Sequence, residues 1–217
     1  LAYLLDRYDP KRTFSFPNKS LEAEFHSMLD AMKLSFVREK LGDEIEVAKG
    51  WVRVFRRAVV ELYKALKLEH KPLYSREFAS FLEDIEHHLS KKLVFYAYDL
   101  LRKRLGLEEF MQKAGAAITT SLKTNMRTLY QNWVFVSILR LLGERGARMV
   151  YPETKFLLLT RSQQQKLAII PPNAIIATDK GYLSFFLEIP RPIAWGDSKD
   201  LSRVWNCLLY TSDAADD

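Results

Sequence analysis

Apolar positions recur at three- and four-residue steps through most of the chain. Over residues 20–41 the repeat is Leu21, Phe25, Met28, Met32 and Phe36, with Glu22 and Glu24 in the first turn and Gly42 after the last. This spacing predicts an amphipathic helix. A second helix is predicted over residues 43–68, with Val47, Trp51, Val54, Ala58, Leu62 and Ala65 as its apolar stripe and Pro72 beyond its end. Arg53, Arg56 and Arg57 fall on the opposite side. A third begins after Ser75, carries the stripe Phe78, Leu82, Ile85, Leu89, Leu93, Tyr96 and Leu100, and ends at Gly106 behind the basic run Arg102-Lys103-Arg104. The fourth spans residues 108–142, with a break expected near Gly115 or Thr119-Thr120-Ser121. Its regular half holds Leu129, Tyr130, Trp133, Val134, Ile138, Leu141 and Leu142, and Gly143 and Gly146 mark its stop.

After Gly146 the period shortens to strand-like runs, predicted at residues 148–151, 155–160, 166–170, 174–178 and 182–189. Asp179-Lys180-Gly181 is a short hairpin connection, and Pro171-Pro172 and Pro190-Arg191-Pro192 punctuate the ends. The expected class is therefore mixed α+β: an N-terminal helical region, then a helix followed by an antiparallel meander. The matching partition is a helical domain over residues 1–107 and an α/β domain over residues 108–206.

Composition narrows the class. A chain of 217 residues with 48% hydrophobic residues can fill a core. Its richest apolar stretches are interrupted by Arg, Lys or Glu every few positions, so no membrane span is expected and the expected compartment is the cytoplasm. The stretch from Cys207 to Asp217 resembles the in-frame translation of a transposase-type sequencing adapter, and residues 207–217 are expected to be non-native. Setting it aside removes the single cysteine, which excludes a disulfide framework, a thiolate zinc site and a cysteine nucleophile. Without Asp213, Asp216 and Asp217, 24 acidic residues face 33 basic ones, a balance of +9 in place of +6. Such charge favours anionic partners, nucleic acid before an acidic membrane surface, while a Lys/Glu-rich surface suited to heat is the plain alternative.

Candidate chemistry follows from the order helix then meander. Tyr130-Gln131-Asn132-Trp133 resembles the Tyr-Glu-x-Trp helix of McrC-like subunits within the PD-(D/E)XK, or restriction-endonuclease-like, nuclease superfamily. The resemblance covers roughly residues 129–195, and it implies half of that family's α/β core. It also implies a site in which carboxylates hold a hard divalent cation, Mg or Mn, and a Lys helps to activate water against phosphate. On those positions fall Gln131, Asn173 and Glu188. The match departs from the family where chemistry needs it most. Gln131 replaces a Glu, Asn173 replaces an Asp, and Pro190 stands where a Lys would complete Glu-x-Lys. Either the site is degenerate and inactive, or the working motif lies beyond Asn206. Glu188 is equally well explained as a strand-end carboxylate paired with Arg191.

Nucleic-acid contacts are expected from Arg53, Arg56 and Arg57, whose guanidinium groups suit bidentate phosphate binding, with Lys91, Lys92, Arg102, Lys103 and Arg104 extending the track. Arg191 and Trp195 could add a cation and a stacking face from a proline-stiffened loop. Glu22 with His26 and Glu83 with His87 have a legal metal spacing but read better as solvated faces, so no metal ligand is assigned. The sequence thus leaves two main functions open. One is a fragment of a metal-dependent nuclease acting on DNA, with the helical region contacting the backbone or a partner subunit. The other is a non-catalytic nucleic-acid-binding or assembly subunit with a degenerate sheet.

Overall fold

The structure is a computed structural model and describes residues 1–153, 156–159 and 172–187. The elements, in chain order, are α1 (Ala2–Tyr8), α2 (Lys19–Leu66), β1 (His70–Tyr74), α3 (Arg76–Glu83), α4 (Ile85–Lys91), α5 (Val94–Leu101), α6 (Leu107–Glu144), β2 (Arg148–Tyr151), β3 (Phe156–Leu159), β4 (Ala174–Thr178) and β5 (Gly181–Phe185). The chain is mixed α+β, with helices dominant. Among the described residues no helix is long and apolar enough to cross a membrane.

Several predicted boundaries move, each for a physical reason. The first two predicted helices are one, α2, bent where Leu41 adopts φ −134° and ψ 20°. Gly42 lies at that bend and does not end the helix, because a buried ridge of Leu41, Ile45, Ala48, Val52 and Phe55 continues through it. That ridge also corrects the predicted stripe. Val47, Trp51 and Val54 are 61%, 44% and 45% exposed, whereas Ala58 and Leu62 are buried as expected. The third predicted helix is three short ones. Asp84 breaks it by accepting the His87 backbone N–H at 2.9 Å, the local competition through which an Asp caps a new helix. Its apolar stripe survives, since Phe78, Leu82, Ile85, Leu89 and Leu93 are all buried. α6 runs 38 residues without the expected break.

The predicted strand near residues 148–151 forms as β2, and those near 155–160, 174–178 and 182–189 form over the described parts as β3, β4 and β5. The predicted strand at 166–170 lies outside the described residues. β1 was not legible, because Pro72 reads as a helix stop; here it is buried inside the strand. β2, β4 and β5 make an antiparallel sheet in that order, and β3 leaves the meander to pair in parallel with β1. The β4–β5 hairpin closes at Thr178↔Gly181, with Gly181 at φ +130°, a conformation that glycine adopts without the clash a Cβ would bring.

The chain forms two compact units, divided within α2 and α6. The first comprises Leu1–Arg53 and Glu77–Thr128, and the second Val54–Arg76 and Leu129–Asp217. The first packs Phe25, Leu29, Ile45, Phe81, Leu89, Leu93 and Ile118 in its core, with Phe36 and Phe110 rings 5.3 Å apart. In the second, the end of α2 lies against the end of α6. Gly143 permits this approach, because a Cβ there would stand 2.8 Å from Leu66 Cδ2 and 3.0 Å from the Ala65 backbone carbon. On its sheet side, Phe135 of α6 meets Phe185 of β5 edge-on, with centroids 6.2 Å apart.

Candidate nucleic-acid interface

Asn173 stands immediately before β4 and is 2% exposed. Its backbone N–H donates to the Phe185 carbonyl at 2.7 Å, and its carboxamide works in both directions. Nδ2 donates to the Leu158 carbonyl at 2.6 Å, and Oδ1 accepts the Leu187 backbone N–H at 2.8 Å. The side chain therefore ties β3 to the end of β5. An Asp could accept from Leu187 but could not donate to Leu158, so an amide is what this position requires.

Gln131 lies one helical turn before Phe135, on the half of α6 that meets β5. It is 9% exposed, and its Oε1 is buried with no hydrogen-bond partner among the described residues. Leu187 brings the chain to the verge of Glu188, but Glu188 itself, with Arg191 and Trp195, lies outside the described residues. Phe185 meets Phe135 through its ring and accepts the Asn173 N–H through its backbone carbonyl, while no hydrogen bond joins Gln131 to Asn173 among the described residues. What they offer is neutral. Two carboxamides, one engaged at both ends, do not suit Mg or Mn, which favour carboxylate oxygen. Among the described residues, moreover, no group of three or more His, Cys, Asp or Glu could hold a metal ion.

No family model, curated protein or solved structure matches this chain. Its own surface must carry the functional reading.

The expected cations divide sharply by their surroundings. Lys92 Nζ lies 2.5 Å from Glu77, Lys91 reaches Ser80 Oγ at 3.2 Å, and Arg104 faces Asp99 at 3.8 Å. Arg102 stacks its guanidinium over Phe14, 5.0 Å from the ring centre. These side chains hold local structure. On α2 the pattern differs: Arg53 and Arg57 are exposed and have no ion-pair or hydrogen-bond partner among the described residues. Arg56 is exposed as well, and its charge acts on Tyr74.

The stripe continues past the arginines predicted from the sequence. Arg57, Val60 and Lys64 recur at helical steps along one line, about 10 Å long at the usual rise per residue. Lys67 and Lys71 follow, and all three lysines are exposed and unpaired among the described residues. Glu61, the acidic residue within this run of α2, forms an ion pair with Arg140. The signal that could have found these lysines was the excess of basic over acidic residues from 53 to 71, which continues beyond the three arginines.

Two aromatic rings stand at the end of this stripe. Tyr63 donates its hydroxyl hydrogen to the His70 carbonyl, and burial pushes its pKa up to about 12, so the donor stays protonated. The exposed His70 ring packs edge-on against Phe156, its register partner on β3, with centroids 6.5 Å apart.

Proposed function

We propose that this chain binds nucleic acid through the outer face of α2. The observation that carries the reading is the pair Arg57 and Lys64 on one line of α2, exposed and unpaired among the described residues, beside an acidic residue already engaged by Arg140. Cations held in a row on a rigid helix bind phosphates by releasing condensed counterions, which makes affinity fall steeply with salt.

A second reading keeps catalysis. It draws on the Phe135–Phe185 contact and on the hydrogen bond that sets Asn173 beside Leu187, next to Glu188 in the chain. On this reading the protein is a metal-dependent nuclease whose cation-holding carboxylates lie outside the described residues. The engaged carboxamide of Asn173 favours the binding role over the cutting one.

Fluorescence anisotropy of the full chain with labelled DNA, from roughly 50 to 200 mM salt, tests both. The expected result is salt-dependent binding that the double variant Arg53→Glu, Arg57→Glu weakens by tenfold or more, since each arginine neutralises about one phosphate. Binding that ignores this charge reversal, or no binding at low salt, overturns the first reading. Strand scission on adding Mg or Mn, abolished by chelation, would establish the second.

A further inference from the structure

We infer that the surface running from Arg57 to Lys71 is built for a single strand of nucleic acid, with the His70 ring as a platform for an unstacked base. This rests on the nucleic-acid reading above and names the form of substrate it takes.

This surface combines exposed cations with one exposed ring, His70. Arg57, Lys64, Lys67 and Lys71 supply exposed positive charge without a partner among the described residues. Charge alone would serve a duplex equally well. The His70 ring makes the difference, because bases within a duplex already stack on one another and present only edges, whereas a single strand can turn a base face onto an aromatic side chain.

His70 is fixed from two sides. Its carbonyl accepts the Tyr63 hydroxyl, and its ring is braced against Phe156 across the β1–β3 pairing. A ring held in place loses little freedom when a base stacks on it. Lys67 lies three residues before it, at the turn into β1, and Lys71 follows it in the strand, so both carry positive charge within the span a short single strand covers. Lys67 takes a left-handed conformation, φ 52°, at the turn by which the chain leaves α2 for β1.

The test compares a labelled single strand of about 20 nucleotides with the duplex of the same sequence, using the full chain. Ribose and deoxyribose versions of the strand separate RNA from DNA. The single strand is expected to bind at least about fivefold tighter than the duplex. His70→Ala is expected to lower single-strand affinity about fivefold or more while leaving duplex affinity unchanged, since one base–aromatic stack is removed. His70→Tyr should restore it. The Tyr63 bond goes to the backbone of residue 70, so His70→Ala keeps it, and an unchanged melting temperature checks that the fold survives. Equal or tighter binding of the duplex, or no effect of His70→Ala on the single strand, overturns this inference while leaving the broader reading standing. Failure of both nucleic acids to bind overturns both.

Discussion

The two compact units use their positive charge differently. In the first, several cations are built into the structure, while Arg53, the last residue of its first segment, has no partner among the described residues. Glu86 is shared by Arg38 Nε at 2.6 Å and Lys49 Nζ at 2.7 Å, Lys92 holds Glu77, and Lys113 holds Glu109 at 2.7 Å. In the second, the end of α2 is held by the Gly143 approach and by the Arg140–Glu61 ion pair, the Asn173 carboxamide ties β3 to the end of β5, and Arg57, Lys64, Lys67 and Lys71 are left to solvent. Net charge is thus a poor guide to function until each cation's partner is known. A paired lysine contributes to composition and to local order, but only an open one has its charge available to a phosphate.

The comparison can be broken most forcefully at Asn173. Asn173→Asp removes the donor to Leu158 and sets a buried carboxylate against a carbonyl oxygen, and it should cost about 2–4 kcal/mol in denaturant unfolding. If the variant were as stable as the parent and also acquired metal-dependent cleavage, position 173 would be a catalytic site and not a structural tie.

Gly143→Ala comes next. Its new methyl meets both the Leu66 side chain and the Ala65 backbone, so the two helices must separate, at about 1–3 kcal/mol in the same unfolding measurement.

In the first unit, Glu86→Gln should cost about 1 kcal/mol, because two cations that are themselves open to solvent keep a neutral hydrogen-bond acceptor. Hydrogen bonds from Lys49 and Arg38 hold the Glu86 carboxyl below its ordinary value of 4.5. The unfolded chain therefore takes up the proton first. This contribution is complete above about pH 4.5 and is lost as pH falls through the lower, folded value, which acid titration of Glu86→Gln against the parent would reveal.

His88 adds a second acid-sensitive point. It is 4% exposed, with Asn125 Nδ2 3.2 Å from its Nε2, and burial, reinforced by Lys92 and Lys91 against Glu77, holds its pKa below 6.5. Stability should be full above about pH 6.5 and decline below it as the unfolded chain protonates, and His88→Gln should flatten that part of the profile. The smallest effect is expected from Lys64→Glu, within about 0.5 kcal/mol of the parent, because the side chain supports nothing around it. A larger loss would mean that the open cations of the second unit are structural after all.

Local pattern determined much of this protein. The mixed class, the helices ahead of the strands, the positions of β2 and β4 and the turn at Asp179-Lys180 follow from spacing and turn chemistry, which act over a few residues. Tertiary structure decided the rest. α2 carries two neighbouring apolar lines, Val47-Trp51-Val54 and Ile45-Ala48-Val52-Phe55, and only long-range packing selects the second for burial. The pairing of β3 with β1, the double engagement of the Asn173 carboxamide and the identity of the unpaired cations all depend on groups distant in sequence. Periodicity reports how a segment repeats along itself, whereas burial, strand pairing and charge pairing are properties of what comes to lie beside it.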